Sequence, residues 1–232
     1  DILYDRLMED AAQPNSPHDF GYAVIPAMVK RDNVFAYKFD GYWQDIGTME
    51  AYYAANLEIV REKGALSLNG GWPLLTEAQS QSLARIQSDA VHNSIISPGC
   101  VVKGRVENSV LSPGVWVEED AVVKDSVIMA NCVIGYHSVV DHCILDESVN
   151  VGKLCYLGFR GSSLCKTEDI TVLGKGATVP AHTAVGSSCK VMPYVGLADF
   201  ASGMVPSGTV VLPRLASSTP VTELKADKVA VK

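Results

Sequence analysis

Seven consecutive residues, Tyr42-Trp43-Gln44-Asp45-Ile46-Gly47-Thr48, gather groups able to do chemistry at one point of the chain. Asp45 follows an alternating stretch, Val34 to Phe39, that reads as a strand, and it precedes a glycine turn and a helix start. Ligands of α/β sheets collect at the C-terminal ends of strands, and a helix N-terminus favours phosphate. A hard carboxylate there suits Mg²⁺, which binds through one or two carboxylates together with phosphate oxygens. The same aspartate could instead serve the turn as a local cap, and the residues alone leave both readings open.

A second set is His137, His142 and His182, which fall at outward positions of a repeat in the second half of the chain. A histidine base at a subunit cleft is what an acyltransferase needs. The bland reading is that each is a solvated side chain.

The elements that must position Asp45 are short. A helix is expected over 2–10, with Ile2, Leu3, Leu7 and Met8 on one side, and nothing before it supplies a cap. This opening reads as a helix already under way, so the chain is expected to be a fragment of a longer one. Asp19 is placed to cap a further helix that stops or bends at Pro26. Thr48 is a good N-cap, with Glu50 in the first turn, for a helix from Met49 to about Glu62. Met49, Tyr52, Tyr53, Leu57 and Val60 give that helix an apolar stripe.

Beyond a linker at 63–92 the pattern changes. Leu111, Val117 and Val123 are six apart, and a step of five leads to Ile128, Ile134 and Val140, then to Leu145 and Val151. The repeat is 17 residues: Leu111, Ile128 and Leu145 align, as do Val117, Ile134 and Val151. Ile96-Ser97-Pro98-Gly99 copies Leu111-Ser112-Pro113-Gly114, and Leu173, Val179, Val185 and Val191 keep the step of six. Such periods mean stacked β-coils. The fold class is therefore α/β (part of a Rossmann-like domain) followed by a left-handed parallel β-helix of hexapeptide repeats. The helix covers 93–216, interrupted near 158–169, and a polar tail occupies 217–232. Gly135, Gly152, Gly174 and Gly186 each follow an inward aliphatic residue, as expected where the chain turns. Taken alone, this half reads as a scaffold or assembly module.

Composition narrows the function. Of 232 residues, 47% are hydrophobic, and the net charge of −7 disfavours non-specific nucleic-acid binding. No stretch is long and apolar enough for a membrane helix. The six cysteines show no C-x-x-C spacing, which points to reduced thiols and a cytoplasmic setting.

The motifs together resemble the ADP-glucose pyrophosphorylase (glucose-1-phosphate adenylyltransferase) family. They are His18-Asp19-Phe20-Gly21 with Ile25-Pro26; Gly41 through Thr48; Tyr52 and Tyr53 with Ala55-Asn56-Leu57; Trp72-Pro73 followed by Thr76; and Asn108 through Gly114. The resemblance covers about residues 1–157 and implies that 1–62 is the last part of the catalytic domain. It implies an enzyme that joins ATP and glucose 1-phosphate into ADP-glucose and pyrophosphate with Mg²⁺, working as a homotetramer. Asp45 falls on the family's second Mg²⁺-binding aspartate, and Tyr42 and Trp43 fall beside its sugar site. The family's Gly-rich nucleotide loop, its first metal aspartate and its Glu-Lys-Pro segment have no match in this chain, so these residues alone are expected to be inactive. Arg160, Lys166, Lys175, Lys190 and Arg214 are the basic candidates for an effector site, with solvated surface as the default. A regulatory, non-catalytic subunit and a hexapeptide acyltransferase are the alternative readings.

Overall fold

The computed structural model describes residues 1–61, 82–159 and 169–214. Most of the linker, the Trp72-Pro73 and Thr76 motif, Arg160, Cys165, Lys166 and the tail lie outside the described residues. The chain divides into two compact units, Asp1–Trp43 and Gln44–Lys232.

The first unit is helical. Helix α1 spans Ile2–Ala11 and does have a cap: the Asp1 side chain accepts from the Leu3 N–H at 3.1 Å. Asp19 caps the next element as expected, accepting from the Tyr22 N–H at 2.8 Å. That element is a π-helical turn, Phe20–Val24, and it runs straight into α2 at Ile25–Arg31. Pro26 sits in the first turn of α2, where its missing N–H is an orphan in any helix, so it starts a helix and does not end one. The Arg6 guanidinium ties α1 to the end of α2 through two bonds of 2.8 Å to the Asp32 carboxylate.

The expected strand at Val34–Phe39 does not form among the described residues. Phe35 and Tyr37 are exposed. A strand is stable only against a neighbouring edge, and no described residue supplies one here.

The second unit opens with α3, Met49–Val60, capped by Thr48, whose hydroxyl accepts from the Ala51 N–H at 3.1 Å. A parallel β-helix follows. One six-stranded sheet runs from Arg85–Ile86 through Val101–Val102, Trp116–Val117, Val133–Ile134 and Asn150–Val151 to Thr178–Val179. A second, of seven strands, runs from Val91–His92 to Met204–Val205, and a third, also of seven, from Ile95–Ile96 to Val210–Val211. Every pairing is parallel and joins strands one coil apart, such as Ile134 on Val151 and Ile144 on Val127. About seven turns result. The first coil begins at Arg85, ahead of the expected start at 93, because its strands carry fewer of the aliphatic markers.

The hexad residues form the axis. Leu111, Val117, Val123, Ile128, Ile134, Val140 and Leu145 are wholly buried and belong to one continuous cluster that ends at Val211. Removing a Val or Leu side chain from water is worth about 1.5–3 kcal/mol, so the ladder carries most of the stability of this unit. The five-residue step is made at a corner with a single residue in the left-handed region: Asn108, Asp125 and His142, at φ 46, 43 and 57°. The turn glycines have another cause than the one expected. Gly135 and Gly152 are not at positive φ; a Cβ on Gly135 would stand 2.7 Å from the Gly152 backbone, and one on Gly152 would stand 2.6 Å from the Ala181 backbone. They are needed for close stacking of successive coils.

Candidate functional site

Asp45 lies in an exposed turn at the start of the second unit. Its Oδ1 accepts from the Gly47 N–H at 2.9 Å, which is an Asx turn. The Thr48 cap and the first turn of α3 follow at once, so one hydrogen-bonded run joins the carboxylate to the helix N-terminus. The Asp45 carboxylate is thus a turn-former, as the bland reading held, while remaining in contact with solvent. Trp43 is 74% exposed, and Tyr42 is half-buried. The boundary between the two units falls between Trp43 and Gln44, so these two aromatics belong to the first unit and Asp45 to the second. Among the described residues no three His, Cys, Asp or Glu side chains cluster as a ready-made metal cage.

Helix α3 is fixed by its other face. Tyr53, Leu57 and Val60 are buried, Tyr52 is half-buried and Met49 is exposed, so the expected stripe holds except at its first residue. Tyr53 and Leu57 pack on Val127, Ile144 and Ile170, with Val110, Met129 and Val172 at the margin. Val110, Val127 and Ile144 are the outward neighbours of Leu111, Ile128 and Leu145, one per coil on the third sheet. The 17-residue register aligns them as well, but the hexad pattern marks only the inward residues, so sequence reasoning misses this second apolar column.

At the edge of this contact the Tyr53 hydroxyl lies 2.5 Å from the Asp125 carbonyl and 2.8 Å from His142 Nδ1. A phenol has one proton, and a carbonyl can only accept. The hydroxyl therefore donates to Asp125, and His142 donates from Nδ1 to the hydroxyl. Asp125 and His142 occupy the same corner of consecutive coils, so Tyr53 bridges two coils. A cavity of about 350 Å³ opens beside it, lined by Glu50, Ala54, Leu57, Glu58, Arg61 and His142.

The histidines considered for acyl transfer are not gathered. His142 is 8% exposed and engaged with Tyr53. His137 is an exposed corner residue, 3.5 Å from the Asp120 carboxylate, and His182 lies at the equivalent corner two coils on. Of the basic candidates, Lys175 is paired with Glu147 at 2.6 Å. That carboxylate, by its hydrogen bond, raises the Lys175 pKa above the ordinary lysine range.

In the first unit, His18 adopts φ 51° and its Nδ1 meets the Asp10 carboxylate at 2.9 Å. Asp10 also accepts from the Ser16 hydroxyl at 2.5 Å. These bonds, Ser16 first, lower the Asp10 pKa. Arg6, Asp10 and Arg31 border a cavity of about 300 Å³.

Two family models make the chain a nucleotidyltransferase segment joined to a hexapeptide β-helix. The nucleotidyl transferase family matches residues 1–62, and the GlmU-like C-terminal hexapeptide family matches 78–179. The chain is similar to curated glucose-1-phosphate adenylyltransferases. It is 34% identical to that of Acetivibrio thermocellus over 222 residues, covering 91% of this chain and 52% of the relative. It is 37% identical to those of Fervidobacterium nodosum (81% of this chain, 47% of the relative) and Thermomicrobium roseum (91% and 52%). The chain thus spans about half the length of the curated relatives it matches. Among solved structures, the acetyltransferase domain of PglB from Neisseria gonorrhoeae FA1090 is similar at a TM-score of 0.36 and 17% identity. That alignment covers 53% of this chain and 52% of that one, and it carries no argument. No helix among the described residues is long and apolar enough to cross a membrane.

Proposed function

We propose that these residues are the C-terminal portion of an enzyme that makes ADP-glucose and pyrophosphate from ATP and glucose 1-phosphate, in the cytoplasm. The observation that carries the reading is the similarity to glucose-1-phosphate adenylyltransferases across both segments, at 34% identity over 222 residues. In the reaction a phosphate oxygen of glucose 1-phosphate attacks the α-phosphorus of ATP in line. A P–O bond forms there as the bond to the pyrophosphate oxygen breaks, and pyrophosphate leaves with the electron pair. Positioning and charge stabilisation are the protein's share of such a step.

Asp45 fits the role of a magnesium ligand. It is a hard, exposed carboxylate beside a helix N-terminus, and Mg²⁺ needs only one or two such groups when phosphate oxygens complete its shell. Bound Mg²⁺ would neutralise charge on the triphosphate. The Asx turn orients the carboxylate, and the α3 N-terminus adds a favourable field for phosphate. Trp43, with most of its ring exposed, and Tyr42 are placed by the same reading at the border of the sugar site.

The domain assignment follows: 1–62 catalytic domain, 63–92 linker with the first coil entering at Arg85, 93–216 β-helix, 217–232 tail. Subunits assemble as a homotetramer through the β-helix, whose end strands have an edge without a partner among the described residues. Nucleic acid and membrane have no part in the reading. These 232 residues alone are inactive, and regulation by a small effector belongs to the whole protein.

The test offers glucose 1-phosphate and Mg²⁺ to the full protein with ATP, GTP, UTP and dTTP in turn, and measures pyrophosphate release. Preference for ATP supports the reading; preference for another nucleotide overturns it.

A further inference from the structure

We infer that Tyr53 and His142 are positioning residues, which lock α3 to the β-helix and so hold Asp45 in place. The inference rests on the role proposed for Asp45. Three observations carry it. First, Asp45 and α3 form one hydrogen-bonded run, from Asp45 Oδ1 through Gly47 and the Thr48 cap to Ala51, so the carboxylate moves with the helix. Second, a polar bridge, His142 Nδ1–H to the Tyr53 hydroxyl to the Asp125 carbonyl, sets the helix at the edge of an apolar contact, and Arg61 at its C-terminus lies 3.6 Å from the Asp125 carboxylate. An apolar contact alone tolerates sliding; a bridge with two fixed partners on successive coils sets the rotation and height of the helix.

Third, the side chain at 142 reaches where those at the matching corners of earlier coils do not. The matching corners of earlier coils carry Asn93, Asn108 and Asp125, all at positive φ, a region that Asn, Asp and His enter more readily than most residues. Histidine stands at that corner in the one coil where a ring nitrogen reaches Tyr53, 89 residues away in sequence.

Two substitutions separate positioning from folding. Tyr53→Phe keeps the ring and removes the hydroxyl. His142→Asn keeps the corner, as in the earlier coils, and removes the ring donor. Amide hydrogen exchange is read over residues 45–60 in the 232-residue chain. Initial rates are read in the full protein against Mg²⁺ concentration. Either substitution is expected to speed exchange over 45–60 by about tenfold, the size of one lost hydrogen bond. Each is also expected to raise the Mg²⁺ concentration for half-maximal rate about tenfold, with the rate recovering at saturating Mg²⁺. A part in stability alone would leave the Mg²⁺ dependence unchanged.

Unchanged exchange in both variants overturns the lock. Faster exchange with an unaltered Mg²⁺ dependence overturns the positioning role. If the unsubstituted full protein makes no ADP-glucose, the adenylyltransferase reading and the positioning role fail together, and exchange still decides the lock.

Discussion

Gly135 lies beneath Gly152 with no room for a methyl group between the coils: a Cβ on Gly135 would stand 2.7 Å from both the carbonyl carbon and the oxygen of Gly152. The atoms in the way are backbone, and they are tied into the coil ladder, where the Gly152 N–H donates to the Val179 carbonyl at 3.0 Å. Gly135→Ala is therefore expected to destabilise the β-helix by about 1–3 kcal/mol, the usual cost of overpacking. Urea unfolding of the chain checks this; an unchanged midpoint would mean that the coils spread without cost.

The axis ladder predicts a contrast between inward and outward residues. Leu145 is wholly buried, while Val133, two strands earlier on a different sheet, points outward and is 37% exposed. Leu145→Ala should cost about 2–5 kcal/mol. Val133→Ala should stay within about 0.5 kcal/mol. The same unfolding measurement compares the two.

The thiols should be inert in the folded protein. Among the described residues Cys100, Cys132, Cys143, Cys155 and Cys189 are buried thiols outside any disulfide. Burial pushes the Cys132 thiol up to about 12, and it raises those of Cys100, Cys155 and Cys189 as well. A thiolate is the reactive form. At pH 8 an aromatic disulfide reagent, followed by peptide mass mapping, should leave all five unmodified until denaturant is added.

The first unit should be acid-sensitive. The Arg6 guanidinium holds the Asp32 carboxyl below the usual carboxylate range, and Arg31 does the same for Glu9. Both folded values are depressed, so their contribution is present above the ordinary carboxylate pKa, about 4, and is lost as pH falls through the folded values. Helix content of α1 and α2, followed by amide exchange between pH 5 and 2, should fall on acidification. Arg6→Met should flatten that dependence.

The sequence was most legible where one rule acted alone. The hexad period gave the three-sheeted coil and its axis, because an inward position tolerates little besides aliphatic side chains. The Thr48 and Asp19 caps were readable because a cap is a local bond. Val34–Phe39 misled, since alternation states only what a strand would need and not whether an edge is there. The outward column Val110, Val127 and Ile144 keeps the same register, but an outward aliphatic residue on a strand does not by itself announce a partner helix. Tyr53 and His142, 89 residues apart, left no local signal; the one hint was a histidine at a corner held in the earlier coils by Asn and Asp. Asp45 could be singled out from the motif around it, but its turn role and its proposed metal role make the same demand on the sequence.

The central claim rests on Asp45 in an ADP-glucose-forming enzyme. Its most direct test is the Mg²⁺-dependent rate of ADP-glucose formation from ATP and glucose 1-phosphate by the full protein, with Asp45 and with Asp45→Asn. Asparagine can keep the Asx turn to Gly47 while removing the charge, so the fold is retained. The predicted result is ADP-glucose formation by the unsubstituted protein and a loss of roughly 100-fold or more on substitution, the scale of removing one electrostatic contact at a reacting phosphate. An Asp45→Asn rate within about threefold of the unsubstituted one, far below the tenfold that each 1.36 kcal/mol of barrier produces, would contradict the account.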